Sequence, residues 1–184
     1  MKKTLLIIGA IVVVGLFYGW SVYNSLVSAN VDVDNKWAQV ETQYQRRFDL
    51  IPNLVESVKG IFEQEQTIFT ALAEARTRYS GAGSIDAKAR AAGEVESALS
   101  RLLVVVENYP QLKSSENVQT LMAELAGTEN RVAVERKRFN DSVASYTLLT
   151  KRFPSNIIAS IFGFGPRTYF DAAAGAENAP TVSF

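Results

Sequence analysis

The sequence predicts an all-α protein: a single N-terminal transmembrane helix, then an antiparallel bundle of three main long helices with a short C-terminal helix. Three observations carry that expectation. No charged residue lies between Lys3 and Asp32, and Leu5–Val22 reads LLIIGAIVVVGLFYGWSV. Beyond Asn35, apolar residues recur at steps of three and four, the period of a helix with one buried face. Turn-forming clusters at Ser80–Ser84, Tyr109–Pro110 and Phe153–Pro154 divide that pattern, and no stretch alternates as a strand would.

At 1.5 Å per residue the apolar run measures roughly 27 Å, close to the hydrocarbon thickness of a bilayer, about 30 Å. Leu5, Ile11, Val14, Phe17 and Trp20 represent its lipid-facing residues, and Phe17, Tyr18, Trp20 and Tyr23 gather at one end, as aromatic rings do at the headgroup level. A secretory signal competes with this reading, with Val27-Ser28-Ala29 as its cleavage site, although its apolar core would be shorter. A lipoprotein signal is excluded because the chain has no cysteine to acylate. Lys2 and Lys3 precede the span and Asp32 and Asp34 follow it, so the positive-inside rule predicts a cytoplasmic N-terminus with the rest of the chain outside. The expected organisation is residues 1–23 as cytoplasmic N-terminus and span, 24–162 as the helical bundle domain, and 163–184 as a C-terminal tail.

The first bundle helix carries Trp37, Val40, Tyr44, Phe48 and Ile51, and the pattern continues through Leu54, Val58, Phe62 and Leu72 to Tyr79. Pro52 removes a hydrogen bond and crowds the carbonyl four residues back, so a kink or break is expected near Leu50. Ser84 caps the second helix, which runs to Asn108. Ser114 or Ser115 caps a third, which carries Val118, Leu125, Val132, Phe139 and Tyr146 until Phe153-Pro154 closes it. Ser155–Phe162 forms the short fourth helix. A straight helix from Asn30 to Tyr79 would measure roughly 75 Å and the second about 37 Å, which leaves the early apolar stripe unmatched. Either the chain folds back at Pro52, or copies pack around the stalk as a homo-oligomer through Trp37, Val40, Tyr44 and Phe48 with Ile157, Ile161 and Phe162.

Composition restricts the chemistry. Nineteen basic and nineteen acidic residues cancel, which gives no broad field for nucleic acid. Absent histidine and cysteine remove the commonest metal ligand and the thiolate nucleophile. No phosphate loop, nucleophile elbow or metal-spaced ligand set is present, so no catalytic residue, metal or cofactor is assigned. Glu63 with Glu65, and Glu94 with Glu96, are two apart on helices and diverge, so they read as solvated faces. The remaining polar candidates are Arg46, Arg47, Asp49, Asn53, Asn108, Glu129, Asn130, Arg131 and Asn140. They form either a register-fixing network within the helices or a site for a carboxylate or phosphate. Val182-Ser183-Phe184 is a weak match to carboxyl ends captured by strand addition.

Several of these stretches resemble the LemA family of bacterial membrane proteins. The matching residues are Tyr23-Asn24-Ser25-Leu26-Val27, Trp37-Ala38-Gln39-Val40 and, most specifically, Arg46-Arg47-Phe48-Asp49-Leu50-Ile51-Pro52-Asn53-Leu54-Val55. Asn108-Tyr109-Pro110-Gln111-Leu112-Lys113, Thr128-Glu129-Asn130-Arg131-Val132, Phe139-Asn140 and Phe153-Pro154-Ser155 continue the match, which fades after Phe170. The resemblance implies a bacterial inner-membrane protein with a helical soluble domain, no established enzymatic activity, and an accessory role beside other membrane proteins. The expected function is therefore a membrane-anchored, non-enzymatic scaffold with the lipid bilayer, its own copies and other membrane proteins as partners. The alternative is a small-ligand or peptide-binding module built on the polar candidates.

Overall fold

The computed structural model describes residues 2–61 and 65–170 of the 184. The described residues form α1 (Lys2–Ser57), α2 (Gln66–Gly81), α3 (Ile85–Asn108), α4 (Pro110–Lys113), α5 (Glu116–Lys151) and α6 (Ser155–Ile161), and no strand occurs among them. The expected all-helical class with one long apolar N-terminal helix is what is found. Val182-Ser183-Phe184 and the tail beyond Phe170 lie outside the described residues, as do Phe62 and Glu63.

The expected break at Pro52 is absent. Pro52 sits inside α1 on an exposed face, and the helix continues another five residues to Ser57. The proline forfeits one hydrogen bond to the Phe48 carbonyl, but its ring projects into solvent and the buried row of Phe48, Ile51 and Leu54 passes behind it unbroken. The helix stops instead at a 3-10 turn, Lys59–Ile61, that contains Gly60. The apolar spacing that continues to Tyr79 is therefore carried by two helices, and α2 begins at Gln66.

The other boundaries follow local chemistry. Ser84 is extended and its Oγ accepts from the Ala87 amide at 3.2 Å, while Asp86 places an acidic group in the first turn of α3. Tyr109 ends α3, and Pro110, which needs no amide partner, starts α4. Gly163 ends α6 with φ of 73°, and the amide of Phe164 then reaches the Ala159 carbonyl at 2.9 Å. That is the 6→1 bond of a Schellman cap, which needs a residue free of a Cβ at the left-handed position.

The described residues fall into two compact units: residues 2–38 with Lys137–Tyr169, and Gln39–Arg136 with Phe170. The first unit packs Leu26, Val33 and Trp37 of α1 with Phe139, Val143 and Tyr146 of α5 and Ala159 of α6, all nearly inaccessible. Trp37 and Phe139 meet edge to face at 5.4 Å. Arg167 holds Asn30 Oδ1 at 2.9 Å and Asp34 at 3.0 Å, and the Tyr146 hydroxyl donates to the Gly165 carbonyl at 2.8 Å. The stretch after α6 is thereby fastened down.

The second unit buries Val40, Tyr44, Phe48, Ile51 and Leu54 of α1 with Phe69, Leu72, Ala75 and Tyr79 of α2. The same core takes Val95, Leu99, Leu102 and Val106 from α3, and Val118, Leu125 and Val132 from α5. Each large apolar side chain withdrawn from water in this way contributes about 1.5–3 kcal/mol. Rings at Tyr44, Phe48 and Tyr79 form a cluster, with Phe48 and Tyr79 edge to face at 4.8 Å.

Candidate functional site

The polar groups of the second unit are arranged by helical spacing on α1. Glu41, Tyr44 and Arg47 are three residues apart, one on each successive turn of one face, and each finds a partner on another helix. Glu41 receives the ammonium of Lys88 from α3. Tyr44 joins Glu96 of α3 and Arg136 of α5: the Arg136 guanidinium donates to the Tyr44 hydroxyl and to Glu96 Oε1, the latter at 2.7 Å, and the hydroxyl donates to the same carboxylate oxygen at 3.3 Å. Arg47 pairs with Glu129 of α5 at 3.5 Å.

The middle tie is the most enclosed. The Arg136 and Glu96 side chains are both about three-quarters withdrawn from water, and the guanidinium lies 4.3 Å over the Phe170 ring and 5.4 Å over that of Tyr44. Such stacking favours arginine, whose planar cation is weakly hydrated. Burial holds the Tyr44 phenol well above its ordinary range. The Glu96 carboxylate pushes the same way, and Arg136 opposes both. Burial works against the charge on Arg136, but Tyr44 and Glu96 outweigh it and leave the pKa above the usual arginine value. Burial, with help from Glu41, pushes Tyr79 up to about 12. These shifts keep a neutral phenol between a cation and an anion. A phenol so protected is a poor base and a poor nucleophile, and its bonds tie α1 to α3 and α5.

The structure disperses the polar candidates read from the sequence. Arg47 is buried, whereas its partner Glu129 is largely in water. Among the described residues no hydrogen-bond partner reaches Arg47 Nε or Nη1. Arg46 and Arg131 are exposed and line one open groove of about 470 Å³ with Leu50, Thr120, Glu124 and Thr128. The threonine hydroxyls of that groove donate to their own helix, to the Glu116 and Leu125 carbonyls. Asp49 accepts from Gln45 at 2.7 Å on the surface, and Asn53, Asn108 and Asn130 are exposed. Asn140 belongs to the other unit. Glu94 is the solvated carboxylate expected, paired with Arg78 at 2.6 Å, but Glu96 is not.

The stripe thought to lie open to other copies is also corrected. Trp37, Val40, Tyr44 and Phe48 are at most 6 % exposed within one chain, because α5, α3 and α2 supply the partners that the length comparison found missing. Ile157, Ile161 and Phe162 remain exposed, as do Leu5, Ile11, Val14, Phe17 and Trp20. The sequence reading missed Glu96 as a functional partner. The only signal was that it lies two residues from Glu94 and one from the buried Val95, hence on a different side of α3.

Fold and site together define a class: helical elements alone among the described residues, one of them long and apolar enough to cross a membrane, and polar groups that join helices to one another. The chain belongs to the LemA family, whose model matches residues 36–184. The match therefore includes the tail beyond Phe170, where the motif resemblance gave out. Among curated proteins, the chain is similar to the magnetosome proteins MamQ 1 and MamQ 2 of Paramagnetospirillum magneticum and to the magnetosome protein MamQ of Magnetospirillum gryphiswaldense. Identity is 28% in each case, over 80% of this chain and 64% of the relative. The chain thus spans somewhat less than two thirds of the length of those relatives.

Proposed function

We propose that the protein is a membrane-anchored, non-enzymatic scaffold or accessory protein of the bacterial inner membrane, with a cytoplasmic N-terminus and its helical domain outside. The observation that carries this reading is the first half of α1, whose most apolar 18-residue window has none of its residues buried. A row of Leu, Ile, Val and Phe left bare on every side of a helix is unfavourable in water and suited to hydrocarbon. The second support is the polar layer, whose charges point at one another across helices. Tyr44 and Arg47 ascend α1 while their partners Arg136 and Glu129 descend α5, the order expected of antiparallel neighbours. Relatives named as magnetosome proteins fit a component of a larger assembly.

The test is alkaline washing of membranes from cells that express the full chain, with intact mass measured on the retained protein. The expected result is a membrane-retained chain that keeps Leu5–Val22. A washed-out chain beginning at Asn30 would identify a cleaved signal and overturn the anchor. Because the chain has no cysteine, Lys3→Cys and Ser97→Cys each provide one thiol for an impermeant maleimide. Labelling of Ser97→Cys alone in intact spheroplasts is the outcome expected of the proposed topology.

A second reading, a binding module for a small anion, rests on the buried Arg47, two of whose guanidinium nitrogens meet no hydrogen-bond partner among the described residues. It predicts that phosphate or a dicarboxylate raises the melting temperature at constant ionic strength, and that Arg47→Met abolishes the increase.

A further inference from the structure

From Phe153 to Pro166 the chain again carries no charge, and this stretch includes α6. One side of α6 is committed to the first unit. Ala159 is buried, Ser155 Oγ donates to the Leu149 and Arg152 carbonyls, and a Cβ on Gly19 would lie 3.7 Å from the Ile158 side chain. The Phe162 and Phe164 rings sit 4.8 and 5.8 Å from that of Tyr23. These contacts fasten α6 beside Gly19 and Tyr23, the stretch where the apolar run of α1 gives way to polar sequence.

The other side of α6 has no covering among the described residues. Phe153 is 75 % exposed, Ile161 68 % and Ile157 49 %, and Phe162, despite its contact with Tyr23, is still 59 % exposed. Ile157 and Ile161 are four apart and form one ridge, and Asn156 and Ser160 form the polar ridge beside it. Lys151 and Arg152, both exposed, precede this face. We infer that α6 and the Phe153–Pro154 turn form a second membrane contact, seated in the headgroup and upper acyl region of a phospholipid bilayer beside the exit of the α1 span.

The inference rests on the anchored reading of α1. Its occupant is argued from continuity of level: α6 is held beside Gly19 and Tyr23, at the height along α1 of Phe17, Tyr18 and Trp20, which are exposed at that end of the apolar run and belong to residue types that concentrate at the bilayer interface. A free helix of seven residues without a basic face would bind lipid poorly. This one need not bind alone, since the span holds it at the surface and removes the entropic cost of association. Lys151 and Arg152 can lay their aliphatic stems on the ridge and turn their charges to lipid phosphates.

The test uses the full-length chain in vesicles of phosphatidylethanolamine and phosphatidylglycerol. One spin label is placed at a time: Ile161→Cys and Phe153→Cys on the proposed contact, Val14→Cys in the span, Ser97→Cys on the exposed side of α3. Relaxation by oxygen, which concentrates in lipid, is compared with relaxation by a water-soluble nickel chelate. The expected result is an oxygen-to-nickel ratio at Ile161 and Phe153 severalfold above that at Ser97 and approaching that at Val14. If Val14 reports lipid while Ile161 and Phe153 match Ser97, the α6 contact is overturned and the anchor stands. If Val14 also matches Ser97, both fail. Protection from both relaxants, with dipolar broadening between labels, would place a second copy on this face and overturn the lipid assignment.

Discussion

The two halves of α1 carry large apolar side chains of the same kinds, and these have opposite fates. Between Leu5 and Trp20 the large apolar side chains are half to three-quarters exposed, whereas from Leu26 to Val58 those at steps of three and four are buried. Trp20 is 64 % exposed and Trp37 6 %. The apolar residue types do not distinguish the halves, but what lies between them does: no charge interrupts the first, whereas Asp32, Lys36, Glu41 and Asp49 stand among the apolar residues of the second. An apolar surface on all sides cannot be covered by two or three neighbouring helices, so it calls for an apolar solvent. A stripe with polar residues between its members is closed by protein. The difference teaches that one helix can be written for two solvents by changing the period of its hydrophobicity.

The comparison can be broken most forcefully at the aromatic contact. Phe139→Ala should cost about 3–5 kcal/mol, the usual range for emptying a packed aromatic site. Leu16→Ala, on the bare half, should leave the same thermal unfolding transition in place when both are followed by circular dichroism in detergent. Equal losses would mean that the two halves are not solvated differently.

A smaller effect is expected at the central tie. Arg136→Met leaves Glu96 half-buried without its cation and should cost about 2 kcal/mol. In a double-mutant cycle with Glu96→Gln the two losses should fall short of additivity by about 1 kcal/mol. Full additivity would show that the carboxylate and the guanidinium act independently.

The tyrosines sharpen the contrast through pH. Tyr44 and Tyr79 have folded pKa values raised above their ordinary 10.0, to about 12 for Tyr79. The unfolded chain therefore loses its phenolic protons first, and the stability these residues contribute, complete below pH 10, is lost as pH rises toward and through 12. Denaturation midpoints should hold steady from neutrality to pH 9 and fall above pH 10, and Tyr44→Phe with Tyr79→Phe should flatten that fall. The smallest change is expected at the Lys137–Asp141 pair, whose side chains are mostly in water. Lys137→Ala should alter stability by less than about 0.5 kcal/mol.

Much of the fold was legible because its signals are local. The charge-free run, the Ser84 cap, the Tyr109-Pro110 stop and the Phe153-Pro154 stop each announce themselves within a few residues. The end of α1 was misplaced because apolar spacing continues across it, while the sole local cue, Gly60, is one residue inside a periodic pattern. Pro52 misled in the other direction, since its effect depends on whether its face meets solvent. The candidate site was less legible. Glu96 and Arg136 lie forty residues apart, and only the packing of α3 and α5 around Tyr44 joins them. Arg46 and Arg47 look alike in sequence, yet one step around the helix puts the first in solvent and the second inside.

The central claim is that Trp20 faces lipid while Trp37 faces protein, and the chain has two tryptophans, so one substitution isolates each. With Trp37→Phe in vesicles containing brominated phospholipids, Trp20 fluorescence should be strongly quenched by the lipid bromines and insensitive to aqueous iodide. With Trp20→Phe, Trp37 should resist both quenchers. Quenching of Trp20 by iodide but not by brominated lipid would contradict the account.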